Sequence, residues 1–313
     1  MVDPQPQRKQ NVVSHKPFFT FSKEGKFIFL CLFPAMLLVS VFIYYPLFKG
    51  VLMAFQNYTL FDLSNRAFIG LENFRAVIST AEFSTVAWNS VLWVFVSLFF
   101  QLTLGFILAL LLRRAFKGRG IYQAFVFFPW AMSGFLIGLI WRWMFNGQNG
   151  VINDLLLRTG IIEQQIPFLS DPNWAMISVI IANIWYGTTF FAIMILAALQ
   201  SIPGELYEAA DMDGANKIQQ LTSITIPFIL PTLLATTLLR VIWILNFPDL
   251  IYSMTNGGPA GSTHIITTYM IEKIMYDQNY GEASAIGVII ILSLLLFAVF
   301  FLLVTNYKKA GDF

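Results

Sequence analysis

The sequence predicts an all-α membrane protein of six transmembrane helices with both termini on the inner side, on three observations. The chain of 313 residues is 57% hydrophobic and 12% charged, with a mean hydropathy of +0.69. Soluble domains carry about 25% charged residues, and half that density cannot cover a water-facing surface, so the natural solvent is lipid. Six apolar runs, at about 27–48, 88–112, 121–145, 174–199, 228–253 and 283–306, each approach or exceed the roughly 20 residues that cross a bilayer as a helix. They are too long and continuous for barrel strands, the other structure that satisfies its backbone in lipid. Finally, Lys and Arg are unevenly placed. With the N-terminus inside, the inner segments hold twelve, with a tight Arg113, Arg114, Lys117, Arg119 cluster, and the outer segments hold six. That bias orients the chain N-in and C-in.

The first 26 residues form a polar cytoplasmic tail with Pro4, Pro6 and Pro17, a composition that favours partial disorder. The run at 27–48 exceeds the 7–15 apolar residues of a signal peptide and lacks a small-x-small cleavage site, so it reads as a retained span. Its Cys31 is the single cysteine, which excludes an intrachain disulfide. Pro34, Pro46, Pro129, Pro231 and Pro248 imply kinks, which helical bundles tolerate. Gly134 and Gly138 in the third run form a G-x-x-x-G that permits close helix approach. The outer segments, about 49–87, 146–173 and 254–282, are too short for independent domains. The layout is one six-helix membrane domain, 27–307, and a short inner tail, 308–313. His15 and His264 stand far apart and offer no metal-ligand spacing. The basic residues lie at membrane boundaries rather than in one patch, so no nucleic-acid partner is expected.

The inner segment at 201–231 is the most informative. Pro203 suits the start of a helix, and Glu205 and Glu208 would sit near its positive end. Gly214 can take the left-handed conformation that stops a helix and turns the chain. A second stretch, led by Ile218, Leu221 and Ile224, returns to the membrane at Pro227. Residues 205–213 carry four acids and no base. Ala209 and Ala210 are small, which lets another wall come close. These residues alone fit either a solvated acidic connector or an element received by a basic cleft.

The segment resembles the EAA loop of binding-protein-dependent ABC importers, roughly E-A-A-x-x-D-G-A, then Gln, and I-x-L-P-x-L-x-P. Glu208, Ala209, Ala210, Asp213, Gly214, Ala215, Gln219, Ile224, Pro227 and Pro231 fall in register, ten positions over 24 residues. Ile218, Leu221 and Ile226 are apolar exchanges. The resemblance implies a cytoplasmic coupling helix inserted into a groove of an ATP-binding subunit. Glu208 would pair with a base there, and Gly214 would supply the turn. Phe68–Phe74, Gly150–Leu156, Thr255–Pro259 and Gly281–Gly287 are similar to motifs of the carbohydrate-uptake branch, specifically its shorter MalF-like or UgpA-like six-span members. That branch implies a second, MalG-like permease, two ATPase subunits and an extracytoplasmic binding protein. It also implies a sugar or oligosaccharide cargo, with glycerol phosphate esters as the lesser option, in a bacterial inner membrane.

Ionisable residues within a span are functional candidates, and Arg240 and Asp249 both fall in the fifth run, near Trp243, Asn246 and Tyr252. Asn183, Trp185 and Tyr186 in the fourth offer the same mixture of polar rim and flat aromatic surface that a sugar requires. Snorkelling or helix capping by Arg240, and packing or interfacial anchoring by the aromatics, account for these residues without a cargo. No G-x-x-x-x-G-K-[ST] occurs, so the chain has no Walker A loop for ATP; the resemblance implies that ATP and Mg belong to partner subunits and that the chain is a transport subunit rather than an enzyme. A secondary transporter driven by an ion gradient is the alternative, although it would normally place carboxylates at the midplane and show duplicated halves.

Overall fold

The computed structural model describes residues 23–305 except 63 and 65. The two expected tails, save residues 23–26, therefore lie outside the described residues. Among the described residues the fold is helical throughout, with only two isolated β-bridges, Gln56–Phe68 and Thr59–Asn279. The chain divides into two units at Gly50/Val51.

The first unit is one apolar helical run, α1 (Lys23–Val39) continuing through a π-turn, Ser40–Tyr44, into α2 (Tyr45–Met53), which crosses the division. Pro46 explains the π-turn. A proline has no N–H for the carbonyl four residues back and its ring collides with that carbonyl, so the ladder widens to i→i+5 one turn earlier. The Tyr45 N–H accordingly donates to Ser40 O. The same device recurs at Leu221–Thr225, one turn ahead of Pro227, where the Ile226 N–H donates to Leu221 O.

The second unit contains α3 (Glu72–Ile78), α4 (Ala81–Arg113), α5 (Arg119–Phe127), α6 (Gly134–Met144), α7 (Val151–Arg158) and α8 (Pro172–Gln200). It continues with α9 (Gly204–Met212), α10 (Lys217–Gln220), α11 (Ile226–Leu245), α12 (Pro248–Met254), α13 (Ile266–Met275) and α14 (Tyr280–Thr305). Helix α8 is central: 67% of its most apolar stretch is buried, against 28% for α4 and 11% for α14. Helix α4 buries one stripe, Val86, Ser90, Trp93, Ser97, Gln101, Gly105 and Ala109, at helical spacing.

Gly105 lets the α4 and α8 backbones meet. A β-carbon there would lie 2.5 Å from Phe191 Cβ and 3.0 Å from both Ala192 N and Thr188 O. Since two of those atoms are backbone, the contact cannot relax by a rotamer change. Gly105→Leu should therefore cost at least the roughly 1–3 kcal/mol of an overpacked core. The expected readout is a clear fall in folded yield and in the thermal midpoint in detergent, with Gly50→Ala, which meets nothing within 4 Å, as the silent control.

Among the described residues, five helices are long and apolar enough to cross a membrane, or six if one bent pair counts as a span. Two predicted spans need correction. The run at 121–145 is not one continuous helix: Arg119–Ala131 and Gly134–Met144 meet at 102°. Pro129 lies in the short 3-10 turn ending the first half, and the Ser133 hydroxyl caps the second by accepting from the Leu136 N–H at 3.3 Å. The fifth run does not reach 253: α11 stops at Leu245, and Phe247, just before Pro248, sits at φ −121°, ψ 68°. Proline disfavours the helical conformation in the residue that precedes it, so Phe247–Pro248 breaks the run. Arg240 and Asp249 thus lie on different helices, and Asp249 is in the first turn of α12 rather than inside a span.

The two breaks face each other. Gly134 packs against the Phe247 ring and Gly138 against Ser253, with no room for a β-carbon at either glycine. The G-x-x-x-G therefore seats α6 on α12. The outer-segment motifs are structural pins of the same kind. Buried Asn73 donates to Ala54 O and Gln56 O, both at 2.9 Å, and Gly281 leaves room beside it. Buried Asn153 donates to Gly147 O and Ile166 O and accepts from the Ile166 N–H. Gly257, at φ +84°, lies against the His264 ring.

Candidate functional site

The 201–231 loop folds as a helix, a turn and a second helix that runs straight into a candidate span. Pro203 stands at the N-cap of α9, one position before its first turn. At the other end the Gly214 N–H donates to Asp211 O and the Ala215 N–H to Ala210 O, with Gly214 at φ +76°. These two bonds form a Schellman cap, which needs a left-handed residue at Gly214. Asn216 then opens α10, its side chain accepting from the Ile218 and Gln219 N–H groups while Gln219 Oε1 accepts from the Asn216 N–H. Asp211 crosses the turn to accept from Gln220 and from Lys217 at 3.2 Å. The Gln220 amide first, and then Lys217, hold its carboxyl below the usual carboxylate range.

Helix α9 has two faces. Tyr207, Ala210 and Ala215 turn partly inward, while Glu205, Glu208, Ala209 and Met212 form an exposed stripe at helical spacing. Met212 is 88% exposed and Ile218, just beyond the turn, 73%. Asp213 and Gly214 are exposed at the turn itself. The sequence had marked the acids and Ala209. It missed Met212, whose signal is a large apolar residue at i+3 from Ala209 and i+4 from Glu208 on an otherwise acidic face.

The predicted path residues separate into groups. Tyr186, Arg240 and Asn246 line one cavity of about 170 Å³ with Trp130, Trp243, Ile244 and Phe247. Its wall is a column of rings: Phe247 stacks on Tyr186 at 5.2 Å, Tyr186 on Trp130 at 5.5 Å and Trp130 on Trp243 at 5.9 Å between centroids. Arg240 does not snorkel; it is 3% exposed, donates from Nε to Gln101 Oε1 at 2.8 Å, and lies 5.5 Å from the Tyr186 ring centre. Its Nη2 has no hydrogen-bond partner among the described residues. Gly187 makes the space, since a β-carbon there would collide with Gln101 and with Arg240 Nη2.

Asn183 sits behind the cavity in the α4–α8 seam, donating to Ser97 Oγ at 3.0 Å. Its carbonyl accepts from Gln101 Nε2 at 2.9 Å. A buried polar chain, Ser97–Asn183–Gln101–Arg240, thus crosses the bundle from α4 to α11. Trp185 packs edge-on to Trp141, Tyr252 donates to Thr268 O at 3.3 Å, and Asp249 is exposed. None of these three lines the cavity. Trp130 and Phe247 were missed, although Pro129-Trp130 and Phe247-Pro248 mark both helix breaks in the sequence.

Several apolar helices, a polar seam through the bundle and an exposed helix on a loop between two spans define a transmembrane transport subunit. The chain belongs to the family described as binding-protein-dependent transport system inner membrane component, whose pattern it matches over residues 101–309. It is 36% identical over 260 residues, 83% of this chain and 84% of the relative, to the sulfoquinovosyl glycerol transport system permease protein SmoG of Agrobacterium fabrum. It is 33% identical over 287 residues, 92% and 96% of the two chains, to the trehalose/maltose transport system permease protein MalF of Thermococcus litoralis. Among solved structures it resembles a chain of a bacterial ABC transporter that imports the acidic polysaccharide alginate. There the TM-score is 0.79 at 27% identity, covering 91% of this chain and 96% of that one. A second alginate transporter structure, in complex with a periplasmic protein holding an alginate pentasaccharide, matches at TM-score 0.78 and 27% identity over 89% and 93%. The chain is therefore an inner-membrane permease subunit of an ABC importer, a transport component rather than an enzyme.

Proposed function

We propose that this subunit, with a second permease, encloses a path for a sugar or oligosaccharide, and that two separate ATPase subunits, carrying ATP and Mg, drive it through α9. Both termini and the 201–231 loop lie in the cytoplasm, and an extracytoplasmic binding protein delivers the cargo to the outer loops. The observation that carries the reading is the exposed stripe of Glu205, Glu208, Ala209 and Met212 on a helix held by its own cap and turn. A large apolar side chain in water beside a small one and two acids fits a basic cleft with an apolar floor.

The cavity supports the cargo assignment. Its stacked aromatics offer flat apolar faces to sugar C–H groups, and Arg240 and Asn246 offer hydrogen bonds to hydroxyls. At about 170 Å³ it is smaller than the roughly 300–1,000 Å³ of complete ligand pockets, as half of a site shared by two permeases would be. Sugar names among the relatives point the same way.

The test is uptake by proteoliposomes holding the whole complex, with the binding protein and a labelled oligosaccharide panel outside and ATP inside. Uptake should require both ATP and the binding protein. Uptake that persists without the ATPase subunits, under a proton or sodium gradient, would overturn the reading.

A further inference from the structure

Tyr207 lies immediately before Glu208 but faces the other way, into the bundle. Its hydroxyl accepts from Arg113 Nη1 at 2.9 Å, and the Arg113 guanidinium also lies 4.3 Å from its ring centre. The same hydroxyl meets Thr225 Oγ1 at 2.8 Å, and Thr225 Oγ1 lies 3.2 Å from Gln220 O. Proton counting fixes the order. Arg113 can only donate and a carbonyl can only accept, so Tyr207 donates to Thr225 and Thr225 to Gln220. One phenol therefore joins three elements: the last turn of α4, the helix α9 and the π-turn that leads into α11.

That π-turn is the mechanically interesting end. It exists because Pro227 prevents regular α-helical bonding one turn earlier, and π-turns inside helices recur at functional sites. Thr225 is its last residue and is buried. A push on α9 would otherwise reach α11 through the 213–219 turn, by its backbone and by the bonds of Asp211 to Lys217 and Gln220 across it. With Tyr207 in place it also reaches α11 directly, and α4 at the same time. Arg240, the inner wall of the cavity, stands on α11, and its partner Gln101 stands on α4.

We infer that Tyr207 is a positioning residue for transport: it fastens α9 to α4 and α11, so that displacement of α9 moves together the two helices that carry the Gln101–Arg240 pair. This rests on the coupling role proposed for α9. The phenol contacts no cargo and lies on the face away from the exposed stripe.

The experiment uses the complete reconstituted importer and reads ATP hydrolysed per cargo molecule imported, beside copurification of the ATPase subunits. Tyr207→Phe keeps the ring over Arg113 and removes both hydroxyl bonds. Thr225→Val breaks the latch from the far side, where no docking contact is involved. Each should raise the ATP-to-cargo ratio about ten-fold, the equivalent of about one net hydrogen bond, with ATPase copurification intact. The double variant should be no worse than either single one, as for groups in one network. Arg113→Lys, which keeps a donor and the charge, should restore part of what Arg113→Met loses. A wild-type ratio in both Tyr207→Phe and Thr225→Val would overturn the latch. So would loss of ATPase copurification in Tyr207→Phe with a normal ratio in Thr225→Val, which would assign the phenol to docking. If Gly214→Pro also leaves uptake untouched, the coupling role of α9 falls as well; if it abolishes uptake, only the latch does.

Discussion

Uptake should fall to background in Gly214→Pro while the protein still inserts in the membrane. Gly214 sits at φ +76°, and its N–H makes one of the two bonds that cap α9. Proline fixes φ near −65° and has no N–H, so it removes both the turn and the bond, at about 3 kcal/mol or more. A nine-residue helix has little stability of its own, and the loss would unravel its C-terminal turn and displace Asp213, Ala215 and the Asn216 cap. The spans do not depend on this turn, so surface labelling of cysteines introduced in the outer loops should be the same with and without Gly214→Pro. Gly214→Asn, which tolerates the left-handed conformation, should retain most uptake. Substrate-dependent ATP hydrolysis measured in the same vesicles checks the result, and a normal rate in Gly214→Pro would remove α9 from the drive train.

Ala209→Arg is expected to cost as much by another route. Ala209 is exposed between Glu208 and Met212 on the stripe offered to the ATPase. A guanidinium there adds bulk to a close contact and places a positive charge against a cleft argued to be basic. Like-charge juxtaposition in an interface costs several kcal/mol, or about a 100-fold weaker association. ATPase subunits should therefore be lost from the purified complex, with the permease heterodimer intact. Ala209→Ser, small and neutral, should copurify normally. Gly214→Pro and Ala209→Arg thus separate two properties of one helix, its shape and its surface.

The spans were legible because hydropathy over some twenty residues reports solvent, and that signal needs no tertiary information. The turn at Gly214 was legible because glycine after a helix has a specific conformational use. The two helix breaks were read only as kinks at Pro129 and Pro248 within continuous runs, since hydropathy averages over them. Yet the sequence held the sign in Phe247–Pro248, where proline constrains its predecessor. The pairing of Gln101 with Arg240 spans 139 residues and had no local signal. Arg240 therefore read as a lone charge, when it is the end of a polar chain through the bundle. Asn183 was read as a candidate path residue, and its side chain bonds Ser97 in the α4–α8 seam. Asp249 was misplaced for the same reason as the fifth span: the continuous helix assumed there ends at Leu245. On α9, alternation of faces could be read from spacing alone, but whether the acidic face or the Tyr207 face turns inward required the contacts of Arg113 and Thr225.

The most direct test of the central claim is site-specific cross-linking in a Cys31→Ser background, where no other cysteine competes. A cysteine replacing Met212, at the tip of the exposed stripe, should form an adduct with the ATP-binding subunit and resist a membrane-impermeant maleimide added outside intact cells. A cysteine replacing Ile161, exposed in the segment after α7, should do the reverse. Labelling of position 212 from outside, or adducts with the ATPase at 161 and none at 212, would contradict the account.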